Sequence, residues 1–467
     1  MVIEQIYTGC LAQGAYYIHS AGEAVVIDPL REITPYVEKA AADGVKIKYI
    51  LETHFHADFV SGHVTLSKKT GAPIIFGPKA NPNFEAHIAE DEEIFSVGKI
   101  KIKVLHTPGH TMESTTYLLL DENGKEHAIF TGDTLFLGDV GRPDLAQKSD
   151  DLTMEDLAGF AYESLRNKIM PLPDDVIVYP AHGAGSACGK NMMKETVDTL
   201  GNQKKMNYAL RSDMTKEEFV AEVTEGLQAP PAYFPMNVKM NKEGYQDIDQ
   251  VLSTGMKALS VREFELLVEE GAMMLDVRSA YDFAAAHIPN SIFIGLDGSF
   301  APWVGELVVD GQQPIILIAP EGREQEAITR LSRVGFDNTL GFLNGAIAAW
   351  SEAGKETASV ERVTATNLES DYEEFKQRIF DVRKESEFAS EHVVGAENSP
   401  LRSINNHLSK LPEEKFYLHC AGGYRSMIAA SILKARGYHD FYEVEGGFKA
   451  IKESKLRRTN YVCPTTM

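Results

Sequence analysis

The sequence predicts a multidomain α/β protein, and three observations carry that reading. In the N-terminal half, apolar strands end four times in turns bearing His or Asp: Thr53-His54-Phe55-His56-Ala57-Asp58, Pro108-Gly109-His110, Thr131-Gly132-Asp133 and Pro180-Ala181-His182. In the C-terminal half, a pattern of strands and helices opening on Asp-Val-Arg occurs twice, which argues a parallel sheet in each copy. The length, 467 residues, leaves room for about three domains at roughly 150 residues each.

The elements follow in order. Ile3 to Tyr7, Ala15 to Ile18 and Ala24 to Ile27 alternate apolar and polar residues and read as antiparallel strands joined by glycine turns. Ile33 to Ala42 reads as a helix ended by Gly44, and Tyr49-Ile50-Leu51 as a buried strand feeding the first histidine turn. Gly62 to Thr70 is a second helix, closed by Gly71. Pro73 to Phe76 and Ile100 to Leu105 are strands; Pro108 and Gly109 then force the tight turn that presents His110. Thr116 to Leu120 and His127 to Phe130 form a hairpin around Asn123-Gly124, and the second strand runs out into Asp133. Val176 to Tyr179 leads into His182, and the polar stretch Lys239 to Gly255 suits a linker.

Composition narrows the partners. Hydrophobic residues make up 43% and charged residues 24%, ordinary for a soluble globular chain with several cores. A formal net charge of −22 argues against nucleic acid or an anionic membrane as partner, since both attract basic surfaces. No apolar run approaches the ~20 residues of a membrane span, and the N-terminus lacks the basic start of a signal peptide. The four cysteines, Cys10, Cys188, Cys420 and Cys463, lie too far apart for a disulfide framework and fit a reducing cytoplasm.

Imidazoles and carboxylates collected on turns at strand ends are natural ligands for a zinc- or iron-class metal, held on a rigid scaffold. The set and order of these turns resembles the metallo-β-lactamase fold, an αββα sandwich, over residues 1–245; Phe219 to Phe234 is similar to its closing helical segment. The family's usual motif has a histidine after the aspartate of the first turn, which helps its hydrolytic branches hold a second metal. Here that position is Phe59, which cannot coordinate. The chain resembles instead the iron-dependent persulfide dioxygenases. That resemblance implies one Fe(II) per chain on His54, His110 and Asp133, the two-histidine, one-carboxylate triad that leaves positions open for substrate and O2. It implies His56, Asp58 and His182 as groups that orient ligands and organise water. His63 and His106 read as structural. Beyond Asp133, Gly141-Arg142 matches the branch's substrate-site arginine, so Arg142 would bind an anionic thiol carrier. Cys188 follows His182 on a glycine-rich loop; a helix starting near Asn191 would lower its pKa and make it an accessory thiol, while a passive packed cysteine is the other reading.

The repeat differs where chemistry would happen. Its first copy contains Asp276-Val277-Arg278, Phe283 and His287, the second Asp381-Val382-Arg383, Phe388 and His392. In the second copy an apolar strand is followed by Cys420-Ala421-Gly422-Gly423-Tyr424-Arg425 and a helix. Backbone N–H groups, a helix N-terminus and Arg425 would all stabilise a thiolate at Cys420. The repeat resembles the rhodanese fold, and this loop its active Cys-x4-Arg form. The first copy has Ala319 in place of the cysteine and adds Glu321 and Glu324, so it reads as catalytically silent.

The expected domains are therefore 1–245, a persulfide dioxygenase domain; 246–360, a silent rhodanese-like domain; and 361–467, an active rhodanese domain. That order is found in persulfide dioxygenase–rhodanese fusions. The resemblance implies oxidation of a low-molecular-weight thiol persulfide by O2 to sulfite, sulfur transfer through Cys420 to give thiosulfate, a role in sulfide detoxification, and a homo-oligomer. Two other classes compete: a glyoxalase-II-like zinc thioester hydrolase fused to sulfur-carrier domains, and a sulfur-relay or sensing protein whose metal domain only binds persulfide.

Overall fold

The computed structural model describes residues 1–145, 152–227, 229–412 and 414–463. It divides into two units: Met1–Gln250 with Leu331–Phe336, and Val251–Arg330 with Asp337–Met467.

The first unit is built on two six-stranded sheets. One runs in sequence order: β1 (Val2–Thr8), β2 (Gln13–Ser20), β3 (Glu23–Ile27), β4 (Lys46–Leu51), β5 (Ile74–Phe76) and β6 (His87–Ile88). The other contains β7 (Ile94–Val97), β8 (Ile100–His106), β9 (Thr115–Leu120), β10 (Glu126–Gly132), β11 (Ile177–Pro180) and β12 (Asp198–Thr199), laid side by side in reverse order. The period-two alternation of strand side chains assigns the layers. On β2, Tyr16 and Ile18 face the second sheet and pack with Val104, Tyr117, Leu119 and Phe130. Ala15 and Tyr17 face the other way, toward Tyr36 and Ala40 of the helix Thr34–Asp43. That helix has Pro35, whose φ is already helical, in its first turn and stops at Gly44, which takes the left-handed φ of 65°. The outer face of the second sheet is covered by the helices Met154–Ser164 and Lys216–Thr224, through Ala158, Ala161 and Phe219. Each begins with a capping box, Thr153 with Asp156 and Thr215 with Glu218. Helix, sheet, sheet, helix is the order expected of the sandwich.

The polar stretch Lys239 to Gly255 contains the boundary between the two units, at Gln250 and Val251, and is largely helical, in Phe234–Glu243 and Ile248–Gly255. Asn237 and Asn241 of the first helix are buried, and Asn241 donates to the backbone carbonyls of His56 and Phe59. Asn241 thus serves a buried hydrogen-bond network, while Lys239, Glu243, Asp249 and Gln250 of the same stretch are exposed.

The second unit holds two five-stranded parallel sheets with the same order of strands. The first copy has β13 (Ala258–Leu259), β14 (Met273–Asp276), β15 (Ile292–Phe293), β16 (Ile315–Ile318) and β17 (Thr339–Leu343) in the spatial order 13-17-16-14-15. The second has β18 (Arg362–Val363), β19 (Ile379–Asp381), β20 (Glu397–Asn398), β21 (Phe416–His419) and β22 (Phe441–Val444) in the order 18-22-21-19-20. The central strands β14, β16, β19 and β21 are apolar along most of their length because helices cover both faces. Among the described residues no helix is long and apolar enough to cross a membrane.

Candidate functional site

The four strand-end turns of the first unit meet at one end of the sandwich. Thr53, after β4, is fixed by Asp28: its backbone N–H and its hydroxyl donate to the two Asp28 carboxylate oxygens at 2.8 and 2.9 Å. Asp28 holds a left-handed φ of 49°, unusual for a residue other than glycine. Because the Thr53 proton goes to Asp28, its oxygen accepts from His54 Nδ1, 3.0 Å away. His110 is oriented in the same way, since its Nδ1 lies 2.9 Å from the backbone carbonyl of Arg142, which can only accept. Both rings thus carry their proton on Nδ1 and turn a bare Nε2 inward. Asp133, at the end of β10, meets them. Its Oδ2 is 3.9 Å from His54 Nε2 and 3.4 Å from His110 Nε2.

That Oδ2 is buried and has no hydrogen-bond donor. A buried carboxylate oxygen left without a partner is costly, and two imidazole lone pairs facing it add repulsion. A cation between the three atoms resolves both problems. The three ligand atoms lie within 4.8 Å of one another, so His54, His110 and Asp133 fit a metal ion. Burial pushes the Asp133 carboxyl up, but His182, hydrogen-bonded to its Oδ1, outweighs it and holds it well below the carboxylate range. Burial and the neighbouring His56 ring keep His54 neutral, the form a ligand requires.

The remaining predicted residues form two flanking groups. His182 is set between carboxylates, Nδ1 2.8 Å from Asp133 Oδ1 and Nε2 2.8 Å from Asp58 Oδ2. Burial alone would lower its pKa, yet Asp133 and Asp58 raise it well above the usual value, so it is an imidazolium that neutralises two acids. His56 turns away from the triad, with Nε2 3.1 Å from Asp28 Oδ1 and 3.6 Å from Glu52 Oε2. Phe59 is fully buried with its ring 4.4 Å from the His56 ring, a packing contact in place of a ligand. His63 sits on the far side of Glu52 and belongs to the same buried network. His106 bonds the Met112 carbonyl.

Arg142 is 7% exposed, with its Nε and Nη2 on the two Asp144 oxygens at 2.6 and 2.7 Å and Nη1 on the Ala187 carbonyl. The helix expected near Asn191 is absent: residues 183–197 contain no helix. Cys188 is buried within ligand distance of Asp58 and His182, and burial, with the Asp133 and Asp58 carboxylates, pushes its thiol well up rather than down. Glycine-rich backbone there curls back on itself instead of starting a helix.

In the second unit, Cys420 ends β21. Its sulfur lies 3.1 Å from the Gly423 N–H and 3.3 Å from the Ser426 hydroxyl, at the start of the helix Tyr424–Ala435. Gly423 takes a left-handed φ of 101°, which lets the loop curl around the sulfur. Arg425 is held by Glu387 through two bonds of 2.6 and 2.9 Å. Sequence reasoning missed Asp28, whose signal was an acid directly after an apolar strand, and the Arg142 carbonyl, which has no side-chain signal at all.

Comparison with known proteins agrees with both halves. Residues 8–182 match the metallo-beta-lactamase superfamily, and residues 260–353 and 364–454 each match the rhodanese-like domain. The human mitochondrial persulfide dioxygenase ETHE1 is 30% identical over 200 residues, covering 42% of this chain and 70% of that protein. A probable hydroxyacylglutathione hydrolase of Schizosaccharomyces pombe is 31% identical over 34% of this chain, which spans 59% of the length of that relative. The crystal structure of a metallo-beta-lactamase from Staphylococcus aureus subsp. aureus COL superposes with a TM-score of 0.64 at 32% identity, over 73% of this chain and 98% of that one.

Proposed function

Because this chain belongs to the metallo-β-lactamase superfamily and joins that fold to two rhodanese-like domains, we propose that it is a persulfide dioxygenase coupled to a sulfurtransferase. The observation that carries the reading is the triad His54, His110 and Asp133, converging on one buried, unpartnered carboxylate oxygen while Phe59 removes a further ligand. Two imidazoles and one carboxylate suit a mononuclear non-haem Fe(II). When bound, Fe(II) supplies the redox chemistry of RSSH + O2 + H2O → RSH + SO3²⁻ + 2H⁺, with a low-molecular-weight thiol persulfide as substrate. The chain's own groups prepare the site. Thr53 and the Arg142 carbonyl orient the two imidazoles, and the His182 imidazolium balances Asp58 and Asp133. Arg142, braced by Asp144, is proposed to meet the anionic thiol carrier. Cys420 and Arg425 are proposed to carry the second half: the thiolate takes a sulfane sulfur and passes it to sulfite as thiosulfate.

The test is oxygen uptake with persulfides of several thiols, beside metal analysis. One iron per chain and O2-dependent sulfite are expected, and His110→Ala or Asp133→Ala should lose iron and oxygen uptake together. Two tightly held metals, or full activity in either variant, would sink the proposal. A second reading has specific support: Asp58, His182 and Cys188 form a second group with ligand spacing, and a matched relative is a probable hydroxyacylglutathione hydrolase. Two zinc per chain and thioester hydrolysis would favour that reading.

A further inference from the structure

We propose that Ser426 and Glu443 are the proton acceptors of the Cys420 thiol, forming a relay for the sulfur-transfer half; this rests on the reading of Cys420 as the sulfur carrier. Ser426 Oγ stands between two acids, 3.3 Å from Cys420 Sγ and 2.6 Å from Glu443 Oε1, with the Gly423 carbonyl at 3.1 Å. Glu443 Oε2 accepts from Arg362 Nε at 2.9 Å. Cys420, Ser426 and Glu443 are all buried, and the Ser426 hydroxyl is the proton-accepting side chain in contact with the thiol.

A hydroxyl has one proton and two lone pairs, so it can accept from a thiol while donating to a carboxylate. In the step, the Cys420 S–H bond breaks and its proton goes to Ser426 Oγ. The proton already on Ser426 passes to Glu443 Oε1. No electrons change hands. What remains is a thiolate accepting from Ser426 and Gly423, and a neutral carboxyl. Burial pushes the Glu443 carboxyl up, against the opposing Ser426 and Arg362 contacts, which makes it a better base than an ordinary carboxylate. With thiosulfate as donor, the thiolate then attacks the sulfane sulfur. A Cys420 S–S bond forms, the S–S bond of thiosulfate breaks, and sulfite leaves with the electron pair.

The first repeat serves as an internal control. Strand register pairs Leu418 with Glu443 and Glu443 with Arg362; the same positions in the silent copy pair Leu317 with Phe342 and Phe342 with Ala258. Counting along the loop puts Ala319 at the place of Cys420 and Gln325 at that of Ser426. Thiol, hydroxyl, carboxyl and guanidinium have thus become Ala, Gln, Phe and Ala. A purely structural Ser–Glu–Arg set would have no reason to be missing from the repeat that lacks the thiol. The other titratable and charged groups around this loop are Arg425 with Glu387, Asp381 with Arg383, His419, which burial holds below the usual imidazole range, and Glu445 beside Arg362. They remain in every variant below.

The experiment uses the full chain and thiosulfate, and follows the persulfide mass on the Cys420 peptide as a function of pH. Ser426→Ala and Glu443→Gln should each slow loading at neutral pH by roughly a hundredfold, the scale of general-base catalysis. The loss should shrink as pH rises, because hydroxide can then take the thiol proton without the relay. The double variant should be no slower than either single one, and Ser426→Thr, which keeps the hydroxyl, should keep the rate. Loading by Glu443→Gln at or above the wild-type rate at neutral pH would overturn the relay. So would a loss that high pH does not recover, or additive effects. Cys420→Ala separates the two claims. Sulfur transfer surviving in it would overturn Cys420 as the carrier, whereas an inert Cys420→Ala beside unimpaired Ser426→Ala and Glu443→Gln would overturn the relay alone.

Discussion

The two rhodanese-like repeats share a framework and differ in chemistry. In each, the arginine of Asp-Val-Arg folds back as a fork on its own aspartate, Arg278 on Asp276 and Arg383 on Asp381, and reaches one backbone carbonyl, Ala286 or Glu391. In each, a histidine donates to a carbonyl four residues earlier and stacks on that residue's ring, His287 on Phe283 and His392 on Phe388, at 4.0 and 3.8 Å. These shared motifs therefore build the fold. The replaced positions, Ala319 for Cys420, Gln325 for Ser426, Phe342 for Glu443 and Ala258 for Arg362, surround one sulfur atom. The shared framework and the residues around the Cys420 position are separable sets in this domain, which makes the first copy a reference for the sulfur-carrier role proposed for the second.

The largest effect should come from crossing that difference. Cys420→Ala should reduce sulfur transfer by more than about a thousandfold, the scale of losing a catalytic nucleophile. Oxygen uptake should persist and sulfite should replace thiosulfate as product. Installing a thiol alone in the silent copy, by Ala319→Cys in the Cys420→Ala background, should restore nothing, because Ser426, Glu443, Arg362 and Arg425 are replaced there by Gln325, Phe342, Ala258 and Glu324. Thiosulfate production is the measurement. Restoration by that one change would mean that the thiol is the whole difference between the repeats.

The shared framework should respond in stability rather than chemistry. Breaking a buried, bidentate ion pair by removing one partner costs about 3–5 kcal/mol, so Asp381→Asn should be strongly destabilising. Asp276→Asn should cost less, for a reason visible in the neighbours. Burial pushes both carboxyls up. At Asp381, the His419 ring, 3.9 Å away and itself held below the usual imidazole range by burial, adds to Arg383, whose permanent charge and hydrogen bonds keep the pKa low at neutral pH; at Asp276, where Ile318 takes the place of His419, burial wins over Arg278 and the pKa is raised. The signs follow by linkage. The Asp381 contribution is present above the unfolded carboxylate pKa, about 3.9, and is lost as pH falls through the lower folded value. The Asp276 contribution is present below that pKa and lost as pH rises through the higher folded value, so the charged Asp276 at neutral pH contributes less. Denaturant unfolding of the two variants at neutral pH checks the order. Equal losses, or a larger one for Asp276→Asn, would remove His419 from the account.

The same split explains what could be read from sequence. The sandwich, both rhodanese-like copies and the missing thiol were legible because they rest on local patterns: a strand, a turn, a helix and a repeated phrase. His54, His110 and Asp133 were legible as candidates because each ends a strand, and the structure brings them together. What stayed hidden acts at a distance or without a side chain. Asp28 reaches Thr53 across 25 positions, and His110 is oriented by the main chain of Arg142. Glu443 hid for another reason. In Phe441-Tyr442-Glu443-Val444 it looks like the polar face of a half-exposed strand, yet it is 0% exposed. Only the strand register places it behind Ser426. Within 239–255, Asn241 hid in the same way, because a buried, hydrogen-bonded asparagine reads like any other polar residue of a linker.

The smallest effect concerns how the silent copy still touches the active loop. Tyr424 stands one residue before Arg425, and its hydroxyl donates to the Gly295 carbonyl of the first repeat at 2.8 Å. Its ring lies against Gly298, where any Cβ would collide with it. The same loop position in the silent copy is Arg323, and it turns to the same segment, bonding Asp297 at 2.8 Å. Both loops therefore brace residues 295–298, one with a phenol and one with a guanidinium, and the silent copy becomes a support for the Cys420 loop. Removing one neutral hydrogen bond is worth about 0.5–1.5 kcal/mol. Tyr424→Phe keeps the ring and should slow Cys420 loading by no more than about tenfold, with the pH dependence unchanged because no proton acceptor is touched. Gly298→Ala should be worse than Tyr424→Phe, since the ring itself must move and carry the loop with it. Loading rates for the two variants, compared with their melting temperatures, decide the matter. If both melt lower while loading stays at the wild-type rate, the contact holds the repeats together without positioning the loop. If Tyr424→Phe loses more than Gly298→Ala, the hydroxyl rather than the packed ring is what the silent repeat supports.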